Sequence, residues 1–283
     1  MRFSLGSHFQ GLLAIENAGT DQTMTGPETA FAPWQYGLLS AVGVVAGWMN
    51  VMAGGGSLLT IPAMLFMGVS GPVANGTNRI AIAAQNIVAS IIFFRSGISD
   101  LKLSLTLAAA ASVGAAGGAA VGTQLDGVWF NRLLALVMVG VMVLMATGSS
   151  GAGPATDKAR APISRQRLWA GHLCMVGAGA WGGFIQIGVG FILMPILHRV
   201  LGLDLVRTNA HKVLIVLIYT VIALAVFSSQ VELLWAAGLA LAVGNAVGGW
   251  LGARTSIDRG EGWIKGALYV GLSALVIKLL FFP

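Results

Sequence analysis

From Trp34 to Asn78 the chain carries no Asp, Glu, Lys or Arg, and the stretch from Leu168 to His198 is equally free of them. Further charge-free runs cover 80–94, 103–125, 133–156, 213–231, 233–253 and 266–277. A lipid-spanning helix needs about 20 apolar residues, so most of these runs fit one crossing each. The two longest do not. As a single helix, the apolar part from Trp34 to Val69 would be about 54 Å long, against a hydrocarbon core of roughly 30 Å. Each is interrupted instead: the first by Gly54-Gly55-Gly56-Ser57 and Pro62, the second by Gly182-Gly183, Gly188, Gly190 and Pro195. Each reads as a long helix, a break, and a short second segment that either spans or re-enters.

Composition agrees with lipid as the main solvent. Of the 283 residues, 56% are hydrophobic and 9% charged, whereas a soluble domain has about 25% charged. The net charge of +6 sits between apolar runs, where it orients helices in a membrane rather than binding nucleic acid. Cys174 is the only cysteine, so no intramolecular disulfide can form. Residues 1–33 lack a long apolar core and carry Glu16, Asp21 and Glu28, which suits an irregular tail and not a cleaved signal peptide.

The interrupted runs are copies of one unit. An offset of 133 pairs Gly55 with Gly188, Pro62 with Pro195 and Arg79 with Lys212. Gly114, Gly118 and Gly122 recur as Gly244, Gly248 and Gly252, a doubled small-residue stripe that favours close helix packing. The expected architecture is all-α: a polytopic transmembrane bundle of two repeats, 34–147 and 168–283, joined by a basic linker at 148–167. Five segments per repeat make the two copies inverted. With the linker in the cytoplasm, Arg95, Lys102, Lys158, Arg160, Arg165, Arg167, Arg199, Arg207, Arg254, Arg259 and Lys265 gather on that side, leaving Arg2 and Arg132 outside. With Lys278 also counted outside, eleven cations face three, a positive-inside bias, and it puts both termini outside. Eight full spans with two hairpins would give nearly the same protein.

Broken helices at matching places in two repeats point to a transporter's binding site. A break frees backbone amides, and the helix that follows presents a positive dipole end, which favours an anion. Arg79 and Lys212 each follow a polar cluster and precede an apolar run. A cation within a membrane helix costs about 3 kcal/mol on insertion scales, so each either snorkels to an interface or serves a site. The candidate substrate-binding residues are Gly55, Gly56, Ser57, Thr77, Asn78 and Arg79 in the first repeat. In the second they are Gly188, Gly190, Asn209, His211 and Lys212. Asn50, Gln85, Asn86, Gln186 and Asn245 are further polar groups in apolar segments, where tying helices together is their commoner use. Asp100, Asp126, Asp204, Glu232, Asp258 and Glu261 all fall in expected loops, leaving no mid-membrane acid for proton relay. No HExxH or Walker loop is present, so neither metal, cofactor nor catalytic residue is expected. An intramembrane hydrolase using Ser57 with His172, His198 or His211 is the enzyme alternative, with no telling spacing behind it.

At Gly54-Gly55-Gly56-Ser57…Pro62 followed by Ala74-Asn75-Gly76-Thr77-Asn78, the chain resembles the TauE/SafE family of sulfite exporters and sulfonate permeases. The weaker second copy is Gly188-x-Gly190…Pro195 followed by Thr208-Asn209, and Arg95-Ser96-Gly97-Ile98-Ser99-Asp100 also fits the family's pattern. The likeness spans about 34–282. His211 and Lys212 depart from it, standing where small or hydroxyl residues are more usual. The resemblance implies a secondary transporter of a small sulfur-containing anion, such as sulfite, a sulfonate, sulfoacetate or thiosulfate, in a bacterial inner membrane. It implies sulfite export first; uptake of another organic anion is the alternative. A homo-oligomer is compatible with either.

Overall fold

The computed structural model describes residues 31–98, 100–125, 127–146 and 163–281, and every regular element among them is helical. The tail at 1–30 and most of the linker lie outside the described residues. In chain order the helices are α1 (Pro33–Met52), α2 (Ser57–Phe66), α3 (Gly71–Arg95), α4 (Leu101–Gly122) and α5 (Gly127–Ala146). They are followed by α6 (Arg165–Phe184), α7 (Val189–Pro195) with a π-helical turn at Ile196–Val200, α8 (Leu205–Gln230) and α9 (Trp235–Phe281). α3, α4, α8 and the Trp235–Arg259 part of α9 are each long and apolar enough to cross a membrane.

Local chemistry sets these boundaries. Pro33 opens α1, where a missing amide costs nothing. Asp100 caps α4 by accepting from the Leu103 amide at 3.1 Å, and Asp204 caps α8 by accepting from the Arg207 amide at 2.8 Å. α1 stops where the amides of Ala53 and Gly54 both turn back to the Met49 carbonyl. Gly54 there has φ +89°, a conformation open to glycine. α6 stops before Gln186, whose φ of +59° makes it the one non-glycine residue in that region among those described. The expected breaks are present but shifted: the first, expected at 54–57, falls at 53–56, and the second, expected at 188–190, falls at 185–188 with Gly190 inside the helix that follows; a short helix follows each.

One expectation is corrected. The charges at Arg254, Asp258, Arg259, Glu261 and Lys265 suggested a loop splitting the last segment. α9 instead runs unbroken through them for 47 residues. In the first repeat α4 ends at Gly122 and α5 begins at Gly127, whereas 253–258 reads Ala-Arg-Thr-Ser-Ile-Asp and offers no glycine or proline to stop a helix. The arginines are housed by lying over aromatic rings, Arg254 at 5.0 Å from Trp250 and Arg259 at 4.8 Å from Trp263.

Helix packing repeats when the halves are exchanged. α1 packs on α9 and α6 packs on α4; α3 packs on α9 and α8 packs on α4; α3 and α8 meet each other. The glycine stripes make this possible. A Cβ on Gly114, Gly118 or Gly122 would strike the carbonyls of Val176, Ala180 or Phe184 in α6. A Cβ on Gly244 or Gly248 would strike the carbonyls of Ser40 or Val44 in α1, and one on Gly252 would crowd Trp48 and Val51. The first helix of each half thus lies backbone to backbone on a helix of the other half, the contact that small residues allow in a membrane.

Candidate functional site

The two breaks touch. Gly54 and Gly190 stand Cα against Cα, so a side chain on either would collide with the backbone of the other. Where they abut, a cavity of about 10 Å³ remains, room for one water molecule. Its polar lining comes from both halves: Asn50, Ser57, Gln85 and Asn86 from the first, Gln186 and Lys212 from the second. Lys212 is the only charged group in that lining.

Arg79 and Lys212 are buried to 0% and 2% exposure, so neither snorkels to an interface. Arg79 lies two turns into α3. Its Nη1 donates to the Gly182 carbonyl at 3.0 Å and to Gln186 Oε1 at 2.8 Å, and its Nη2 donates to the Gly183 carbonyl at 2.5 Å. The guanidinium also lies over the Phe227 ring, 4.3 Å from its centroid. Lys212 lies two turns into α8. Its Nζ donates to the carbonyls of Asn50 at 3.2 Å and Val51 at 2.7 Å, and to Asn209 Oδ1 at 2.9 Å.

The carbonyls that receive these cations share one origin. Gly182 and Gly183 lie in the last turn of α6, and Asn50 and Val51 in the last turn of α1. The final carbonyls of a helix have no partner within it and carry the negative end of its dipole. Each cation therefore caps the broken helix of the opposite half. Asn50 and Gly183 stand at the same offset of 133 as Arg79 and Lys212 (183 − 50 = 133; 212 − 79 = 133). A charged hydrogen bond is worth about 1.5–3 kcal/mol. With three such bonds on each side, the set offsets the cost of holding a cation inside a membrane helix.

The other candidate residues divide into those at the centre and those directed away from it. Ser57 lines the cavity and accepts from Asn78 Nδ2 at 3.2 Å, while Asn78 Oδ1 accepts from Thr60 at 2.7 Å. Asn78 thereby ties α3 to α2 directly behind the break. Asn209 holds Lys212 and donates to Ser256 at 3.2 Å. Gly190 lines the cavity together with Gly54. Gly55 packs on the Phe191 ring and Gly56 on Ala46 and Asn50 of α1. Gly188, at φ +68°, lines an apolar groove on the outside together with Trp181 and Phe191. The Thr77 hydroxyl accepts from the Leu234 amide at 3.1 Å, just ahead of α9, and His211 Nδ1 bonds to Ser104 of α4 at 2.7 Å. Ser57, bonded to Asn78, is thus not paired with a histidine by any hydrogen bond described.

Gln85, Asn86 and Gln186 line the cavity, and the sequence marked them only as polar groups in apolar segments. Gln186 is the most connected: it accepts from Arg79 and donates to Thr220 at 3.2 Å. Tyr219 was not singled out at all, yet it is fully buried against Gly182, with its hydroxyl near Gln186 and Thr220. The usable signal for Gln186 was its place two residues past the end of α6, between Gly183 and Gly188.

Several bacterial proteins are similar to this chain. "Probable membrane transporter protein YfcA" of Escherichia coli (strain K12) is 25% identical over 258 residues, which is 88% of this chain and 91% of the relative. A "Probable membrane transporter protein" of Haemophilus influenzae is 26% identical over 245 residues, covering 86% and 94%. One of Xylella fastidiosa is 27% identical over 218 residues, covering 74% and 80%. No solved structure matches the chain. The model of the family described as "Sulfite exporter TauE/SafE" matches residues 39–279, which include both breaks, both cations and both glycine stripes, and the chain belongs to that family.

Proposed function

We propose that this protein is a secondary transporter that exports sulfite, or a closely related small sulfur-containing anion, across a bacterial inner membrane by alternating access. The observation that carries the reading is the central cavity. It forms where the two broken helices abut, is lined by amides and a hydroxyl from both halves, and holds one cation with no carboxylate. Such a lining suits an anion, whose hydration the amide N–H groups and the ammonium replace. The family membership and the names of the relatives support transport, and the family's description supports sulfite.

The geometry also suggests how binding is coupled to movement. A cavity of about 10 Å³ is smaller than any sulfur oxyanion, so this conformation is read as closed. All three Nζ donors of Lys212 are taken by Asn50, Val51 and Asn209. An anion arriving at Lys212 competes with the end of α1 for those donors. Its binding therefore releases α1 from the opposite half, and its departure restores the cap. Arg79, which is not in the lining, keeps α6 in place meanwhile. In an inverted repeat such a release opens one side of the site while the other stays closed. An inside-negative potential drives an anion outward by about 2.3 kcal/mol per charge per 100 mV, so export requires no coupled proton and no intramembrane acid.

The test is efflux of labelled sulfite from proteoliposomes under an imposed inside-negative potential. Wild-type protein is expected to release sulfite, and Lys212→Gln, if folded, to release it at the protein-free rate. A folded wild type that moves sulfite no faster than empty vesicles contradicts the sulfite reading. Movement of a carboxylate instead would favour the alternative organic-anion substrate.

A further inference from the structure

A second polar pocket lies at the side of the bundle, between the end of α3 and the middle of α9. It is open and has a volume of about 490 Å³. Its composition changes along its length. Val88, Ile91 and Ile92 of α3 form an aliphatic wall, and Ile257 of α9 faces them from the other side. Further along α3, Arg95 and Ser96 form a polar rim, joined by Arg254 and Asp258 of α9. From Val88 to Arg95 is about 10 Å along a helix, so the pocket passes from hydrocarbon-like to charged within one leaflet's depth. Arg95 is the last residue of one candidate span, and Arg254 lies near the end of another, Trp235–Arg259.

The two arginines are exposed, and among the described residues neither forms an ion pair, although Asp258 shares the rim. Among the described residues the one ion pair is Arg207–Asp204. Arg254 lies over the Trp250 ring at 5.0 Å, which orients its guanidinium beside the pocket. Ile91, 46% exposed, presents bare aliphatic surface to whatever lies alongside.

We propose that this pocket is a binding site for an anionic phospholipid of the phosphatidylglycerol type. The phosphate lies between Arg95 and Arg254, which present planar donor forks suited to its oxygens. One acyl chain lies along Val88, Ile91 and Ile92. The rim carries two positive charges and the single negative charge of Asp258, so a headgroup with one negative charge neutralises it. Hydroxyls of the glycerol headgroup donate to Asp258, which a choline headgroup cannot do. Basic pockets between membrane helices take anionic headgroups by this combination of charge and apolar wall. Because α3 carries Arg79 and α9 packs on α1, the lipid would clamp the two helices that flank the central site; the pocket itself stands whether or not the sulfite reading does.

The test is lipid binding to the purified full chain in detergent, read by native mass spectrometry with phosphatidylglycerol, phosphatidylethanolamine and phosphatidylcholine. At about 1 kcal/mol per arginine, phosphatidylglycerol should bind about thirtyfold more tightly than phosphatidylcholine. Arg95→Ala with Arg254→Ala should remove that preference. Arg132→Ala should leave it unchanged, since Arg132 also lies over a tryptophan, Trp129, but is not part of this pocket. Should the double variant fail to fold, Arg254→Lys, which keeps the charge and loses the fork, should weaken binding severalfold. Equal binding of all three lipids, or an undiminished preference in the arginine variants, overturns the proposal. Phosphatidylethanolamine binding as tightly as phosphatidylglycerol overturns the assignment to an anionic headgroup.

Discussion

Arg79 reaches the end of α6 with a planar guanidinium whose donors lie on Gly182, Gly183 and Gln186, and its face rests on Phe227. Lys212, at the equivalent place in the other half, reaches the end of α1 with an ammonium on Asn50, Val51 and Asn209. Lys212 lines the central cavity, whereas Arg79 is separated from it by Gln186. The two positions share a task, capping the broken helix of the opposite half, but they differ in what else can reach them. A fork held on two carbonyls and an amide is difficult to exchange. An ammonium that lines the cavity is easier to exchange, because a point charge can rotate from one acceptor to another where a planar fork cannot. A repeat can thus keep one geometry in both halves while leaving one cation at the cavity and the other behind it.

This asymmetry is open to mutation, and the largest effect is expected at Arg79. Arg79→Ala strands two carbonyls and Gln186 in a buried space. It should cost on the order of 3–5 kcal/mol, since each stranded buried acceptor costs about 1–3 kcal/mol, measured by denaturation of the detergent-solubilised protein. Arg79→Lys should recover only part of that loss, since an ammonium cannot span both carbonyls. Lys212→Gln should show the reverse emphasis. One charged contact to the anion is worth about 1.5–3 kcal/mol, so sulfite affinity should fall roughly 10- to 100-fold while the fold survives. Equal stability losses at both positions would dissolve the distinction.

A smaller effect concerns the stripes, where the two halves should behave alike. Gly118→Ala would place a Cβ on the Ala180 carbonyl and Gly248→Ala one on the Val44 carbonyl. Both should cost about 1–3 kcal/mol as overpacking, and a large inequality would argue against equivalent packing in the two halves. The smallest effect is expected at Thr77. Thr77→Val removes one bond to the Leu234 amide, 3.1 Å long and remote from the cavity. It should cost about 1 kcal/mol of stability and leave sulfite affinity unchanged; a loss of affinity would place Thr77 at the site after all.

Much of this architecture could be read before any coordinates. Charge-free runs too long for one crossing required breaks, and Gly54, Gly55, Gly56 and Gly188 mark them, whereas Pro62 and Pro195 fall inside the short helices that follow. The offset of 133 singled out Arg79 and Lys212, and the four-residue glycine spacing foretold close packing. What those cations bind was not legible. Four of their six acceptors are backbone carbonyls more than 100 residues away, and a carbonyl leaves no mark in a sequence. The expectation that both cations serve a binding site followed from their matching places in the repeat, without the carbonyls that compete for them. Gln186 was hidden for a related reason, because an amide in an apolar run looks the same whether it ties helices or lines a cavity. α9 was divided at its charges since the option of stacking arginines on Trp250 and Trp263 depends on side-chain geometry. Thr77 and His211 stood next to the cations in sequence, but helical rotation turns them toward α9 and α4.

The most direct test of the exchangeable lysine is sulfite-dependent thermal stabilisation of three purified proteins: wild type, Arg79→Lys and Lys212→Gln. Sulfite is expected to raise the melting temperature of the wild type and of Arg79→Lys, although the latter starts lower, and to leave Lys212→Gln unmoved. Stabilisation of Lys212→Gln equal to that of the wild type would contradict the account, and so would its loss in Arg79→Lys alone.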